Sequence, residues 1–274
     1  FFIVSLIINL KARNERNAEP TLPNGETVYF SYNANSIAAF PNIAVNPRSK
    51  EAFTFEEGIL KYSGEEKTRF GIDISEHQNT IDWSAVKAAG VDFAFIRVGR
   101  RGATKGLLFE DSNYKTNIEG ALAAGIDVGV YFYSQAITEA EAKEEAEMVL
   151  RLIEPYKKDI SYPVVFDWEH YTQCDEPYRT LGTPKETLTD ACIAFCETIK
   201  KAGYTPMVYF NLELAYMEYD LGRLADYDFW IAEFDAVPSF YYNYAIAQYT
   251  EKGKIDGIEG NVDLNIGFID YSKR

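Results

Sequence analysis

From residue 69 onward, short apolar runs of period two alternate with longer segments in which apolar positions recur every three or four residues. The first pattern predicts β-strands and the second predicts amphipathic helices. Helices are predicted at 81–89, 112–124, 138–156 and 185–202. Strands are predicted at 70–74, 92–98, 127–134, 162–169, 206–211, 229–234, 244–249 and 262–268.

The predicted helix boundaries coincide with residues that start or stop helices. Gly90, Gly125 and Gly203 follow three of the helices, and glycine commonly ends a helix because it adopts the left-handed backbone conformation. Thr138 can cap the third helix, with Glu141 three residues later as in a capping box. These boundaries support the alternation of strands and helices.

Strands that alternate with helices pair in parallel, which predicts the α/β class. The eight strands within 69–274 predict an irregular TIM-like (β/α) barrel with eight strands and fewer than eight helices, plus an N-terminal extension. A doubly wound open sheet is the alternative, but no glycine-rich phosphate loop follows the first strand.

The residues before 69 have a different character. Residues 1–10 are mostly apolar and are followed by basic residues. Because a bilayer span takes about 20 residues, we interpret 1–10 as the remnant of a signal or membrane-anchor segment, with a short packed strand or helix as the alternative. Residues 11–68, with several Pro, Asn and Ser, are predicted to form an extension or linker, and residues 69–274 form the barrel.

Composition narrows the class of partner. The net charge of −15 argues against nucleic-acid binding, which depends on neutralising phosphates. Cys174, Cys192 and Cys196 are too few for a disulfide framework, and the last two fit small buried residues on one helix. With only two histidines, a structural zinc site lacks ligands, and no cofactor is implied.

Acidic residues recur at the predicted carboxyl ends of the strands, where the active site of a parallel barrel lies. Asp73 ends the first strand, Asp167 and Glu169 end the fourth, and Asp263 falls in the last. Asp167 and Glu169 face the same side because they are two apart on a strand. Two confined carboxyls cannot both ionise cheaply, so one keeps the proton that glycoside hydrolysis needs. A metal site and a buried hydrogen-bonded pair are alternatives.

Other residues near the strand ends suggest a sugar-binding cleft. We interpret His77 and His170, each beside an acid-bearing strand end, as residues that orient a carboxylate. No nucleophile elbow, P-loop or H-E-x-x-H motif is present. Aromatic and amide residues are expected to line the cleft, although aromatics at such positions also pack in barrel cores; they are Tyr131, Tyr133, Trp230, Gln248 and Tyr249.

Several stretches of the chain resemble, in the same order, the glycoside hydrolase family 25 lysozymes. They are GIDIS at 71–75, IDW at 81–83, FIR at 95–97, GVYFY at 129–133, FDWE at 166–169, WIA at 230–232, QY at 248–249 and NVD at 261–263. The resemblance implies the irregular (β/α) barrel and hydrolysis of the β-1,4 bond between N-acetylmuramic acid and N-acetylglucosamine in peptidoglycan.

The resemblance also implies a role for each acid. Glu169 resembles the general acid, and Asp167 resembles the carboxylate that assists the oxocarbenium centre or the acetamido group of the substrate. Asp73 and Asp263 resemble two further acids that position this pair. Net retention is implied, through either an enzyme nucleophile or the acetamide of the substrate.

The loop after the second strand departs from the family pattern. Arg97 matches a basic residue of the family, and we expect it to contact substrate. Many members continue with a small-Thr-Glu-Gly turn, whereas this chain continues with Val98-Gly99-Arg100-Arg101-Gly102. Arginine therefore replaces the acidic loop residue, which affects the fine specificity of this loop.

The resemblance implies an extracellular or cell-surface enzyme that acts on peptidoglycan glycan strands through a catalytic barrel at 69–274. We expect it to be a monomer, secreted or anchored through residues 1–10. Two alternatives stay open. A hydrolase of another N-acetylated glycan, such as chitin, is disfavoured because only Asp167-x-Glu169 is present and not the longer D-x-x-D-x-D-x-E motif. A non-catalytic cell-wall glycan-binding protein is expected to lose at least one acid, and none is lost.

Overall fold

The computed structural model describes residues 20–171 and 177–274. The predicted segment 1–10 and Cys174 lie outside these residues. The chain divides into two compact units at the Ala44–Val45 bond. In the first unit, β1 (Tyr29–Tyr32) pairs with β2 (Asn35–Ala38) in an antiparallel hairpin.

The second unit begins with another hairpin, which lies within the segment predicted to be an extension. Strand β3 (Phe53–Glu56) pairs antiparallel with β4 (Ile59–Tyr62). Phe53 and Leu60 are buried, and the Phe53 ring lies 6.2 Å from the ring of Phe268. Arg48 is also buried, with its guanidinium 3.7 Å above the same ring. Residues 45–68 therefore share one hydrophobic core with the barrel.

Eight strands close the barrel, as predicted. In chain order the remaining strands are β5 (Arg69–Ile74), β6 (Phe93–Arg101), β7 (Leu108–Glu110), β8 (Asp127–Ser134), β9 (Ile160–Trp168), β10 (Pro206–Asn211), β11 (Asp228–Ala232), β12 (Ile246–Gly253) and β13 (Val262–Gly267). Strand β7 only extends the sheet beside β6 and is not part of the closed barrel.

One feature of the barrel differs from the prediction of parallel pairing. Strands β5 to β12 of the barrel run parallel, whereas β13 pairs antiparallel with both β12 and β5. The cause is the connection at 254–261, which is shorter than the dozen or more residues that a parallel crossover requires. The amino end of β13 therefore lies at the same barrel end as the carboxyl ends of the other strands.

Helices cover the barrel on its first half. They are α1 (Trp83–Ala88), α2 (Tyr114–Ala123), α3 (Glu139–Ile153) and α4 (Lys185–Lys201). The described part of the chain thus has fewer than eight α-helices, as predicted; β11 and β12 are joined without one. The Thr138 hydroxyl accepts the Glu141 N–H at 3.2 Å, which confirms the cap, but Glu141 itself accepts the N–H of Ile137.

Alternation along the strands sorts side chains between the barrel interior and the helices. Phe93 and Tyr162 stack in the interior with ring centroids 4.7 Å apart, whereas Phe166 faces outward against Phe195 of α4. Cys192 and Cys196 are free and buried on α4, in agreement with their interpretation as core residues. None of the helices in the described ranges is long and apolar enough to cross a bilayer.

Candidate active site

The four predicted acids meet in one pocket of about 290 Å³ at the carboxyl end of the parallel strands. Asp73 lies near the end of β5, Asp167 near the end of β9, and Glu169 directly after β9. Asp263 reaches the same place from the amino end of the antiparallel strand β13, where it is the register partner of Asp73. The reversed last strand therefore completes the acid cluster.

Most of the other predicted residues line the same pocket. The structure brings together Tyr131, Tyr133, Trp230, Gln248 and Arg97 around the acids. Both neighbouring strands place a tyrosine beside Asp167, since Tyr133 and Tyr209 are its register partners. The pocket also includes residues that the sequence analysis did not assign to it: Ser75, Gln78, Tyr209, Phe234 and Glu251.

Tyr249 was predicted to line the cleft, and the structure does not bring it there. It follows Gln248 on β12 and therefore faces the opposite side of the strand. Its ring is fully buried and lies 6.0 Å from Phe55 of the β3–β4 hairpin. Tyr249 is a packing residue between the barrel wall and this hairpin.

A chain of hydrogen bonds fixes the carboxylate of Asp73. Its Oδ2 accepts one hydrogen bond from Gln248 Nε2 and one from Asn265 Nδ2, each 2.8 Å long. The amide oxygens are occupied in turn, because Tyr209 donates to Gln248 at 2.7 Å and Trp230 donates to Asn265 at 2.8 Å. Both amides must therefore direct their NH₂ groups at Asp73.

Burial raises the pKa values of both Asp73 and Asp263 towards neutral pH. Burial raises the pKa of Asp73 to about 6, and the two amide hydrogen bonds act against this rise. Burial also raises the pKa of Asp263 to about 8, with repulsion from Asp73 and Glu251 adding to it. Within the described residues, no three or more His, Cys, Asp or Glu side chains are arranged to hold a metal ion.

The pKa values of Asp167 and Glu169 depend on each other. Burial raises the pKa of Asp167, and the charges of Glu169 and Asp73 raise it further. Burial also raises the pKa of Glu169, but the hydrogen bond with Asp167 lowers it. Asp167 and Glu169 therefore titrate as a pair, and burial favours the retention of one proton that the two carboxyls share.

One oxygen of this pair has no partner. Asp167 Oδ1 is buried and accepts no hydrogen bond from the residues that the structure describes. Asp167 lies in the wall of the pocket beside Tyr133 and Glu169. A buried acceptor without a donor costs free energy of about 1–3 kcal/mol, so this oxygen suits a ligand that brings an N–H or O–H group.

The aromatic floor of the pocket is continuous with the barrel core. The Trp230 ring stacks on Phe95 with centroids 4.6 Å apart and meets Tyr209 edge-on at 4.8 Å. Trp230 is almost completely buried, whereas Tyr131 and Tyr133 are partly exposed in the pocket. The two tyrosines therefore offer the accessible aromatic surface, and Trp230 supports them from below.

Arg97 lines the pocket, but carboxylates already bind its guanidinium. It donates to Asp111 at 2.9 Å and to Glu76 at 3.1 Å. Glu76 also accepts a hydrogen bond from the Ser112 hydroxyl at 3.0 Å. Arg97 therefore connects the loop after β5 to the loop before α2, next to the acids.

The two histidines were interpreted as residues that orient a carboxylate. His170 Nε2 lies 2.7 Å from Glu218, outside the acid cluster, and His77 lines the pocket. The chain at Glu169 is held instead by hydrogen bonds from side chains to backbone carbonyl oxygens. Gln135 donates to the carbonyl oxygen of Glu169 at 2.7 Å, and Trp168 donates to the carbonyl oxygen of Ala136 at 3.0 Å.

The pocket opens into a longer cleft. A second cavity of about 660 Å³ shares His77, Arg97, Tyr133, Glu169 and Glu251 with the pocket and extends to Arg100, His170 and Tyr171. Glu169 lies at the junction of the two cavities. The site is therefore an elongated groove, which suits a polymer more than a single small molecule.

Tyr209 and Asn265 are the polar residues of the cluster that the sequence analysis missed. Asn265 lies two residues after Asp263 on β13, and Tyr209 follows Met207 of the barrel core by two on β10. The period of two alone would have assigned both to the inner face. Their functional contacts depend on neighbouring strands and have no local signature.

Comparison with known proteins agrees with this geometry. The chain is 29% identical over 196 residues to an autolytic lysozyme from Clostridium acetobutylicum, covering 71% of this chain and 54% of that protein. It is 28% identical over 203 residues to lysozyme M1 from Streptomyces globisporus, covering 71% and 66%. The chain thus spans between about half and two thirds of the length of these relatives.

Solved structures show the same fold. The CTP1L endolysin superposes with a TM-score of 0.59 at 27% identity, covering 75% of this chain and 68% of that one. A family 25 glycosyl hydrolase from Bacillus anthracis superposes with a TM-score of 0.61 at 24% identity, covering 77% and 93%. The model of the family described as "Glycosyl hydrolases family 25" matches residues 72–258, which is more than half of the chain and includes Asp73, Asp167 and Glu169. This chain therefore belongs to glycosyl hydrolases family 25.

Proposed function

We propose that this protein is a lysozyme that hydrolyses the β-1,4 bond between N-acetylmuramic acid and N-acetylglucosamine in peptidoglycan. Relatives with the names autolytic lysozyme, lysozyme M1 and endolysin support this substrate. The observation that carries the proposal is the pair of Asp167 and Glu169 at the centre of the groove, with Asp167 Oδ1 buried and without a donor. The acetamido N–H of an N-acetylated sugar supplies such a donor.

Glu169 is the general acid in this proposal. The glycosidic oxygen needs a proton as its bond to the anomeric carbon breaks. A hydrogen bond from the substrate N–H to Asp167 stabilises the carboxylate form of Asp167. The shared proton then moves to Glu169, so substrate binding itself prepares the acid for donation.

The acetamide of the substrate is the nucleophile in this proposal. Its oxygen attacks the anomeric carbon as the leaving sugar departs with the proton from Glu169, and Asp167 holds the N–H of the cyclic cation that forms. The Glu169 carboxylate then takes a proton from a water that opens this ring at the anomeric carbon. Two displacements at one carbon give net retention.

The remaining acids and aromatics position the substrate and tune the pair. Asp73 contributes charge that raises the pKa of both Asp167 and Glu169, and the charges of Asp73 and Glu169 raise the pKa of Asp263 in turn. Tyr131 and Tyr133 offer partly exposed rings for contact with sugar faces. Gln248 acts through Asp73 and does not need to touch substrate.

A wall substrate also determines where the protein acts. Peptidoglycan lies outside the cytoplasmic membrane, so we propose a secreted or surface-attached monomer with its catalytic barrel in residues 69–274. Attachment through residues 1–10 belongs to the same proposal. The β3–β4 hairpin within 45–68 supports the barrel through its packing on Phe268 and Tyr249.

Digestion of defined glycans tests the substrate. Purified peptidoglycan and N-acetylglucosamine oligomers of chitin are incubated with the protein, and new reducing ends are counted. The proposal predicts release from peptidoglycan at a rate at least about 100-fold higher than from chitin oligomers, since muramic acid fills a site built for it. Equal rates would indicate a general hydrolase of N-acetylated glycans. Binding to peptidoglycan without release of reducing ends would indicate a non-catalytic wall protein.

A further inference from the structure

A β-bulge at Val98 decides which of the two consecutive arginines at the end of β6, Arg100 or Arg101, faces the cleft. Arg97 pairs with Tyr131 of β8, but Gly99 pairs with the next residue, Phe132, so Val98 is the extra residue. Such a bulge changes the direction of the side chains that follow it. Arg100 consequently becomes the register partner of Tyr133 and lines the cleft, as Arg97 does.

The bulge directs Arg101 outward, into a structural role. Its guanidinium is buried and binds Glu145 at 2.6 Å and Glu144 at 2.8 Å on α3. It also donates to the carbonyl oxygen of Gly106 at 2.6 Å. Arg101 is therefore fully occupied in holding α3 and the loop against the barrel.

Arg100 makes no ion pair of this kind with the described residues. No carboxylate of the described residues lies within 4.0 Å of its guanidinium, which lies 4.8 Å from the centroid of the Phe109 ring. Phe109 is 41% exposed, and Arg100 is itself partly exposed. The ring covers one face of the guanidinium, and no ion pair within the described residues holds its N–H groups, so these groups can bind a carboxylate in a bidentate manner.

Arg100 and Glu169 line the same cleft. Tyr133, its neighbour across the sheet, lines both the pocket and the cleft, and Glu169 lies at their junction. A ligand with its reacting bond at Glu169 can therefore extend a side branch toward Arg100. The cleft volume of about 660 Å³ exceeds the pocket volume of about 290 Å³, so there is room for such a branch.

We propose that Arg100 forms a carboxylate-binding subsite for the lactyl branch of the N-acetylmuramic acid residue. This inference rests on the proposed function. The branch ends either in a free carboxylate or in an amide-linked stem peptide that carries carboxylates of its own, and both present the same chemistry to a guanidinium.

Three forms of one wall preparation test the subsite: intact peptidoglycan, peptidoglycan whose carboxylates are converted to amides with carbodiimide and ammonia, and glycan strands stripped of stems by an amidase. The quantity compared is kcat/KM for each form, for the wild type and for Arg100→Gln and Arg100→Lys. Arg151→Gln is the matched control, because Arg151 is an exposed arginine on α3 whose loss changes the net charge equally.

We expect Arg100→Gln to reduce the preference for carboxylate-bearing over amidated wall by about 10-fold, mainly through KM, as loss of a charged hydrogen bond predicts. Arg100→Lys keeps part of the preference, and Arg151→Gln keeps all of it. If Arg100→Gln lowers kcat/KM on stripped strands, the group bound is the lactyl carboxylate. If it lowers kcat/KM on intact wall alone, the group bound is a stem carboxylate.

An unchanged preference in Arg100→Gln, with an unchanged unfolding temperature, would overturn the inference. Absence of muramic reducing ends from every form with the wild type would overturn the proposed function itself.

Discussion

Asp167 and Glu169 are two residues apart on one strand, yet their surroundings give them different chemistry. Asp167 is buried between the tyrosines of β8 and β10, whereas Glu169 lies after the strand end at the junction of pocket and cleft. Burial raises the pKa of both carboxyls. The pair consequently retains a proton under conditions in which exposed carboxyls are ionised.

Glu169→Gln tests the assignment of the acid. The amide keeps the size of the side chain but has no proton to donate, so turnover of peptidoglycan is expected to fall by roughly 10³-fold. Reducing ends released per minute give the rate, and the unfolding temperature reports on the fold. Tyr249→Phe is the control, because Tyr249 packs outside the pocket and its variant is expected to retain activity. Wild-type turnover in Glu169→Gln would require another acid.

Asp263→Asn tests the electrostatic cost of the acid cluster. Burial raises the pKa of Asp263 from 3.8 to about 8, so between these values the folded protein holds a proton that the unfolded chain releases. In the wild type, the contribution of Asp263 to the free energy of unfolding is therefore fully present below a pH of about 4 and is lost as the pH rises through about 8. The neutral amide has no such loss. The unfolding temperature of the variant, relative to wild type, should rise from pH 5 to pH 8.5; a constant difference would contradict the raised pKa.

At the scale of elements, the sequence predicts the strands and helices well and their pairing less completely. Period-two runs and glycine stops gave β8, β10 and α4 within one residue of their bounds. The antiparallel direction of β13 follows from the short connection that precedes it. The bulge at Val98 depends on pairing with β8, which a single strand does not reveal. Tyr249 was misplaced for a related reason, since Gln248 and Tyr249 closed the strand predicted at 244–249, whereas β12 continues to Gly253 and only Gln248 faces inward.

Truncation tests the role of the β3–β4 hairpin. A chain that begins at residue 69 loses the burial of Phe53 and Leu60 and the contact between Arg48 and Phe268. Two large apolar side chains correspond to about 3 kcal/mol or more of stability, so this chain should unfold at a clearly lower temperature than one that begins at residue 45. The two chains are compared by thermal unfolding. Equal unfolding temperatures would mean that the hairpin adds nothing to the barrel.

At the scale of the whole molecule, the charge of −15 opposes the approach to the proposed substrate, because peptidoglycan is itself anionic through its stem carboxylates. The groove offers only local compensation, since Arg97 is bound by Glu76 and Asp111 while Arg100 faces the cleft. Binding must therefore rely on short-range contacts in the groove more than on long-range attraction.

Salt dependence measures this repulsion. Raising NaCl from about 10 mM to about 150 mM shortens the Debye length from roughly 30 Å to about 8 Å, which screens the repulsion between enzyme and wall. We expect kcat/KM on intact wall to rise over this range, while the value on short amidated fragments stays nearly constant. A fall in kcat/KM on intact wall would show that attraction dominates the encounter.

The most direct test of the central claim is to identify the sugar at the new reducing end. Purified peptidoglycan is digested with the protein, the products are reduced with borohydride, and mass spectrometry distinguishes the alcohol of N-acetylmuramic acid from that of N-acetylglucosamine. We expect fragments that end in reduced N-acetylmuramic acid, and roughly 10³-fold less of them from a parallel digest with Glu169→Gln over the same time. Fragments that end in reduced N-acetylglucosamine, or no fragments from a folded protein, would contradict the central claim.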